Sequence, residues 1–196
     1  MSSLQNRSFA SFSLWAGSAA IIFSCLLLSC NSPDDGLVPD DNQNNDQDQM
    51  DDDKSGEAAP GFELTALNGS TIKLSDYENK VVVLFFLGSS CPLCKAAAPS
   101  VEKELKEAYA GNADYVILGL DTWDGNNSAV QSFKDVTKVT FPLLLNASAV
   151  SKDYDTTYDR LVVINKTGNI AHSGTRATTN DISAVKTKVD ELLNDM

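Results

Sequence analysis

Val81-Val82-Val83-Leu84-Phe85-Phe86-Leu87 is an unbroken apolar run, mostly β-branched or aromatic. A strand with one solvated face alternates apolar with polar residues. A strand without alternation is covered on both faces, as in the interior of a parallel or mixed sheet. The chain therefore needs a layer of helices on each side of a sheet, and its length allows one domain of ordinary size with residues to spare.

The remaining pattern supplies those layers. Phe62 to Leu74 holds Asn68-Gly69 between alternating segments, which predicts a hairpin. Pro92 to Tyr109 reads as a helix, with Val101, Leu105 and Ala108 on one face and Glu102/Lys106 and Lys103/Glu107 at supporting spacing. Tyr115 to Leu120 is a second buried strand, Ser128 to Val139 a second helix, and Phe141 to Leu145 a third strand. A helical turn follows over Ala147 to Tyr154. Leu161–Ile164 and Asn169–His172 then flank a Lys166-Thr167-Gly168 turn, and a helix from about Asp181 carries Ile182, Val185, Val189, Leu192 and Leu193 in one stripe. Strands alternating with helices predict an α/β fold with a central mixed β-sheet flanked by helices, in a single domain over residues 58–196.

The surplus lies at the front. Residues 9–28 form an apolar run behind a polar start with one cation, Arg7, which is how an export signal is built. The run ends in Leu27-Leu28-Ser29-Cys30, similar to a bacterial lipobox, so residues 1–29 are expected to be a lipoprotein signal peptide and Cys30 the lipid anchor. The alternative is an uncleaved membrane helix. Residues 30–57 carry nine Asp and one Glu against one Lys, with little to bury, and are expected to be an acidic, disordered tether. Most of the formal charge of −12 sits there, and its acidic run also resembles a sorting signal for the cell surface. The domain has no basic patch, which argues against a nucleic-acid partner.

With Cys25 removed and Cys30 acylated, only Cys91 and Cys94 are left as thiols. Zinc needs further ligands, and the mature chain offers no other thiol and one histidine, His172, read as an ordinary hairpin residue. A purely structural bridge over so short a loop gains little from chain entropy. A redox dithiol fits best, with no cofactor and no metal. A helix starting at Pro92 puts Cys91 at its N-terminus, where free N–H groups and the dipole favour a thiolate. Proline suits that first position. Cys94 shares the same face and can attack a mixed disulfide on Cys91.

The string VVVLFFLGSSCPLCKAAAPSVEKEL, followed by VILGLD, FPLLLN and LVVINKTGNI, resembles the thioredoxin-like fold of extracytoplasmic TlpA/ResA-type and redoxin (AhpC/TSA-related) lipoproteins. The resemblance implies a membrane-anchored thiol-disulfide oxidoreductase in a bacterial cell envelope, facing the periplasm or cell surface, with the outer membrane favoured. Its expected partners are exported proteins carrying disulfides or dithiols and a membrane electron donor or acceptor. Cys91 and Cys94 are the expected catalytic pair, and Pro92, Tyr158, Asp159 and Arg160 are expected to face substrate.

The chain departs from that pattern in several places. Phe85 stands where relatives often carry Asp or Asn, and Ala97 where some carry Glu. Asp121 or Asp124 is then the expected substitute for deprotonating Cys94. Asp159 occupies the place of the usual cis-proline, and Arg160 is expected near the thiols, as in peroxiredoxins. That arginine leaves a thiol peroxidase as an alternative, although Gly88 stands where peroxiredoxins have a threonine. A non-catalytic binding module is a further alternative. Trp123, in the loop after a strand whose C-terminal end should approach the thiols, is expected to report on their redox state.

Overall fold

A computed structural model describes residues 54–174 and 177–195. The expected signal peptide, the Cys30 anchor and the tether up to residue 53 lie outside the described residues. Among the described residues no helix is long and apolar enough to cross a membrane.

The elements in chain order are β1 (Glu63–Thr65), β2 (Thr71–Lys73), a short 3-10 turn (Leu74–Tyr77), β3 (Val81–Leu87), α1 (Pro92–Val101), β4 (Tyr115–Asp121), α2 (Asn127–Thr137), β5 (Leu143–Leu144), α3 (Ser148–Asp153), β6 (Arg160–Ile164), β7 (Ile170–Ser173) and α4 (Thr178–Asn194). The main sheet runs β5-β4-β3-β6-β7. β3 is parallel to β4 and antiparallel to β6, so the sheet is mixed, with the apolar run at its centre. β1 and β2 form the predicted hairpin as a separate two-stranded sheet, with the Asn68 side chain accepting the Ser70 N–H inside the turn.

All seven residues of β3 are buried, and alternate ones serve different layers. Val81, Val83, Phe85 and Leu87 join Cys91, Cys94 and the apolar faces of α1, α2 and α4. Val82, Leu84 and Phe86 join Phe62, Ala66, Val150 and Tyr154 on the other side, under the hairpin and α3. Full burial of each such side chain contributes about 1.5–3 kcal/mol before entropy is counted, which is why so apolar a strand can hold only a central position.

Several boundaries differ from expectation for physical reasons. Gly56 and Glu57, placed in the tether from composition, exchange backbone hydrogen bonds with Ile170, so the ordered domain begins slightly earlier than residue 58. The helix expected over residues 92–109 is α1 followed by a π-helical stretch, Glu102–Glu107. Pro99, inside α1, has no N–H to donate, and the Glu102 N–H reaches the carbonyls of both Ala98 and Pro99 at the junction. The change of pitch turns Glu102 inward, where it accepts the Thr140 N–H at 2.8 Å and the Thr140 hydroxyl. It does not serve the expected pair with Lys106, and Lys103 sits 3.7 Å from Glu104 rather than pairing with Glu107. α4 starts three residues before the expected Asp181 because Asp159 supplies a cap from another part of the chain.

Candidate active site

The loop between β3 and α1 holds the dithiol. Cys91 has extended backbone angles, φ −68° and ψ 120°, and is the N-cap of α1, with Pro92 at the first helical position. The Cys91 sulfur accepts the Cys94 backbone N–H at 3.2 Å, and the Cys91 N–H donates to the Gly88 carbonyl at 2.9 Å. Both cysteines are reduced and buried. Pro92 and Leu93 between them are exposed.

The thiols differ in their surroundings. Burial pushes the Cys94 thiol well above its ordinary range, and the adjoining Cys91 sulfur and Asp159 carboxylate push the same way, against a backbone hydrogen bond with Gly88. Cys94 is thus kept protonated at rest, while Cys91 stands at the N-terminus of α1.

Asp121, at the end of β4, holds the loop in place. One of its oxygens accepts the Ser89 N–H at 2.8 Å and the other accepts the Gly125 N–H at 2.6 Å, tying the dithiol loop to the β4–α2 loop. Asp124 accepts the Ser148 N–H at 3.1 Å and its hydroxyl at 2.6 Å, bracing the start of α3. Asp121 and Asp124, the acids expected to serve Cys94, thus both hold neighbouring loops together through these hydrogen bonds.

Trp123 lies against the loop that carries the thiols. Its indole covers Gly88, and a Cβ placed there would sit 2.5 Å from the ring. Tyr158, in the lead-in to β6, meets Trp123 edge to face with centroids 4.9 Å apart. Trp123 is 46% exposed and Leu93 64% exposed, so apolar surface flanks a sulfur that is itself covered.

Tyr158 therefore packs beside the loop that carries the dithiol, and its neighbours Asp159 and Arg160 are held by partners of their own. Asp159 is buried and adopts φ +61°, a left-handed conformation that Asp tolerates better than most residues. Its oxygens accept the N–H groups of Ala177 at 3.1 Å and Thr178 at 3.3 Å, at the start of α4. Arg160 is opposite Phe86 in the β3–β6 register and so shares the face of the sheet away from the thiols. Its guanidinium donates to the Asp155 carbonyl and to the Ser173 hydroxyl. The expected placement of Arg160 near the thiols is thus corrected by strand alternation. His172, read as an ordinary hairpin residue, is held by Asp181 of α4 at 3.1 Å.

Two buried acids have partners that the sequence reading did not give them: Asp159 caps α4 and Glu102 holds Thr140. The caps made by Asp159 join residues 18 and 19 apart in the chain, which no local motif signals. The signal for Glu102 was Pro99, a proline far enough into a helix to disturb its pitch.

Comparison with known proteins agrees with this geometry. The AhpC/TSA family profile matches residues 55–173. The chain is 30% identical over 125 residues to the thioredoxin-like protein YneN of Bacillus subtilis, covering 62% of this chain and 73% of that protein. It is 34% identical over 102 residues to the thiol-disulfide oxidoreductase ResA of Oceanobacillus iheyensis, covering 50% of this chain and 52% of ResA. The chain thus spans about half the length of that ResA protein. Among solved structures, a candidate protein disulfide isomerase from Bacteroides thetaiotaomicron superimposes with a TM-score of 0.66 at 29% identity, over 72% of this chain and 91% of that one. With a mixed sheet centred on β3 and its two cysteines at the start of α1, the chain belongs to the AhpC/TSA family and has a thioredoxin-like fold.

Proposed function

We propose that this protein is a membrane-anchored, extracytoplasmic thiol-disulfide oxidoreductase that exchanges the Cys91–Cys94 pair with disulfides or dithiols of exported proteins. The observation that carries the reading is the Cys91 sulfur at the N-terminus of α1, accepting the N–H of a second cysteine one helical turn on. In the reducing direction the Cys91 thiolate attacks a substrate disulfide, one substrate sulfur leaves, and a mixed disulfide forms. Cys94 then loses its proton and attacks the Cys91 sulfur, closing the Cys91–Cys94 bond and releasing the second substrate thiolate. Two electrons pass from the dithiol to the substrate, and the oxidising direction is the reverse.

Sequence supports the setting: an export-type segment over residues 9–28 ends at Cys30, the proposed lipid anchor, and an acidic stretch separates it from the domain. On this reading residues 1–29 are removed, and the domain stands off an envelope membrane, the outer one favoured, within reach of a membrane electron donor or acceptor. Insulin reduction by the full chain with dithiothreitol tests the activity, with peroxide consumption measured in parallel. Loss of insulin reduction in Cys91→Ser supports the reading. Peroxide consumption without disulfide exchange would replace it with a peroxidase.

A further inference from the structure

Among the described residues the large apolar side chains left exposed are Leu93, Trp123 and Val136. Val136 stands near the C-terminal end of α2, which connects the parallel strands β4 and β5 and so runs back from the thiol end of the sheet. The other two border the dithiol loop. Leu93 lies between the cysteines in the first turn of α1, and Trp123 rests on Gly88, three residues before Cys91.

Trp123 is held from several sides. The Thr122 N–H donates to the Leu87 carbonyl at 2.8 Å and the Gly125 N–H to Asp121 at 2.6 Å, which fixes the chain before and after the indole. Three carbons of its six-membered ring would lie within 3.0 Å of a Cβ on residue 88, so only glycine there lets the ring seat on the backbone. Tyr158 meets the indole edge to face and packs against the apolar cluster that contains Cys91 and Cys94. So firmly placed an aromatic ring that still faces water for almost half its surface has the character of a contact site. Cys91, by contrast, is 2% exposed. A substrate sulfur reaches it only when the substrate chain is held close, and groups beside the reacting sulfur supply that binding energy.

We propose that Trp123, seated on Gly88 and steadied by Tyr158, forms with Leu93 the docking surface for the substrate polypeptide. It selects extended segments that carry an apolar or aromatic side chain next to the reacting cysteine. This deepens the exchange reading above and rests on it. The indole offers a flat apolar face at little cost in conformational freedom, because its neighbours already fix it. A cysteine flanked by small polar side chains gains nothing from that face. The occupant is an incompletely folded chain, since folding buries cysteines and the apolar side chains around them.

The test uses two neutral homodimeric peptide disulfides that differ only beside the cysteine, with phenylalanine in one and serine in the other, and glutathione disulfide as a third probe. Each is mixed with the reduced full chain below saturation, the reaction is quenched with acid, and the released thiol is counted. In the unaltered chain the phenylalanine peptide should react about tenfold faster than the serine peptide. Trp123→Ala should bring that ratio to within about twofold of unity, and Trp123→Phe should keep most of it. Val136→Ala, at an equally exposed side chain far along α2, should leave the ratio as it is. Should Trp123→Ala fail to fold, Leu93→Ser decides, because it must lower the ratio too. A ratio near one in the unaltered chain, or one that neither variant lowers, would overturn the docking assignment. So would a concentration-dependent dimer that dissociates in Trp123→Ala, which would give this surface to a second copy of the chain. If glutathione disulfide reacts and the peptides are not told apart, exchange stands and docking falls. No thiol release from any of the three probes would overturn the exchange reading itself.

Discussion

The Trp123 indole occupies the space that a side chain on Gly88 would need, 2.5 Å from the position of its Cβ. Gly88 in turn accepts the Cys91 N–H, so a tryptophan from the β4–α2 loop is pressed against the backbone that positions Cys91. Gly88→Ala should therefore cost about 1–3 kcal/mol through overpacking and slow Cys91 alkylation as the loop shifts. Adding Trp123→Ala should recover most of the stability. A urea midpoint for each variant checks this, and equal loss in the single and double variants would contradict the packing argument.

The same arrangement makes Trp123 a reporter. Closing the Cys91–Cys94 bond alters the loop beneath the indole, so emission should differ between oxidised and reduced protein and the difference should vanish in Trp123→Phe, which leaves Trp15 as background. Superimposable oxidised and reduced spectra of the unaltered chain would show that the indole does not sense the bond.

Cys94→Ser should leave the attack intact and remove the release, so the protein accumulates a mixed disulfide with substrate through Cys91. Mass spectrometry of non-reduced complexes reads this directly. Cys91→Ser should trap nothing at this site, because Cys94 is buried and held as a thiol.

Redox state should also set how stability depends on pH. The folded chain binds the Cys94 proton more tightly than the unfolded chain, because burial raises this thiol. The associated stability is complete below the ordinary thiol range, near pH 8.5, and is lost as pH rises above it. Only the reduced form carries this group. Urea midpoints from pH 7 to 9.5 should fall more steeply for reduced than for oxidised protein, and parallel curves would contradict the assignment.

Glu102 offers a check away from the thiols. Glu102→Ala strands the Thr140 N–H beside β5 and should cost about 1–3 kcal/mol. Glu102→Gln, which keeps an acceptor, should cost less. Equal losses would mean that the bond contributes little.

Elements whose cause is local could be read from the chain. The period of β3, the Asn68-Gly69 hairpin and the Cys91–Cys94 spacing at a helix start each depend on neighbours in sequence, and each stands where expected. What escaped prediction depends on partners far away in sequence. Asp159 meets Ala177 and Thr178, Glu102 meets Thr140, and Asp124 meets Ser148 only once the sheet has been assembled. Arg160 failed for a subtler reason: its distance from the thiols depends on which face of β6 it occupies, and that parity is fixed by the pairing of Phe86 with Arg160.

The central claim is that Cys91 and Cys94 form a reversible disulfide. The full chain should be equilibrated in graded glutathione or dithiothreitol buffers, its thiols counted by alkylation and the bridge located by peptide mass. The account predicts one two-electron transition in which these two cysteines alone become linked, with a midpoint near −270 mV marking a reductant and one near −120 mV an oxidant. Free Cys91 and Cys94 under every oxidising condition would contradict it.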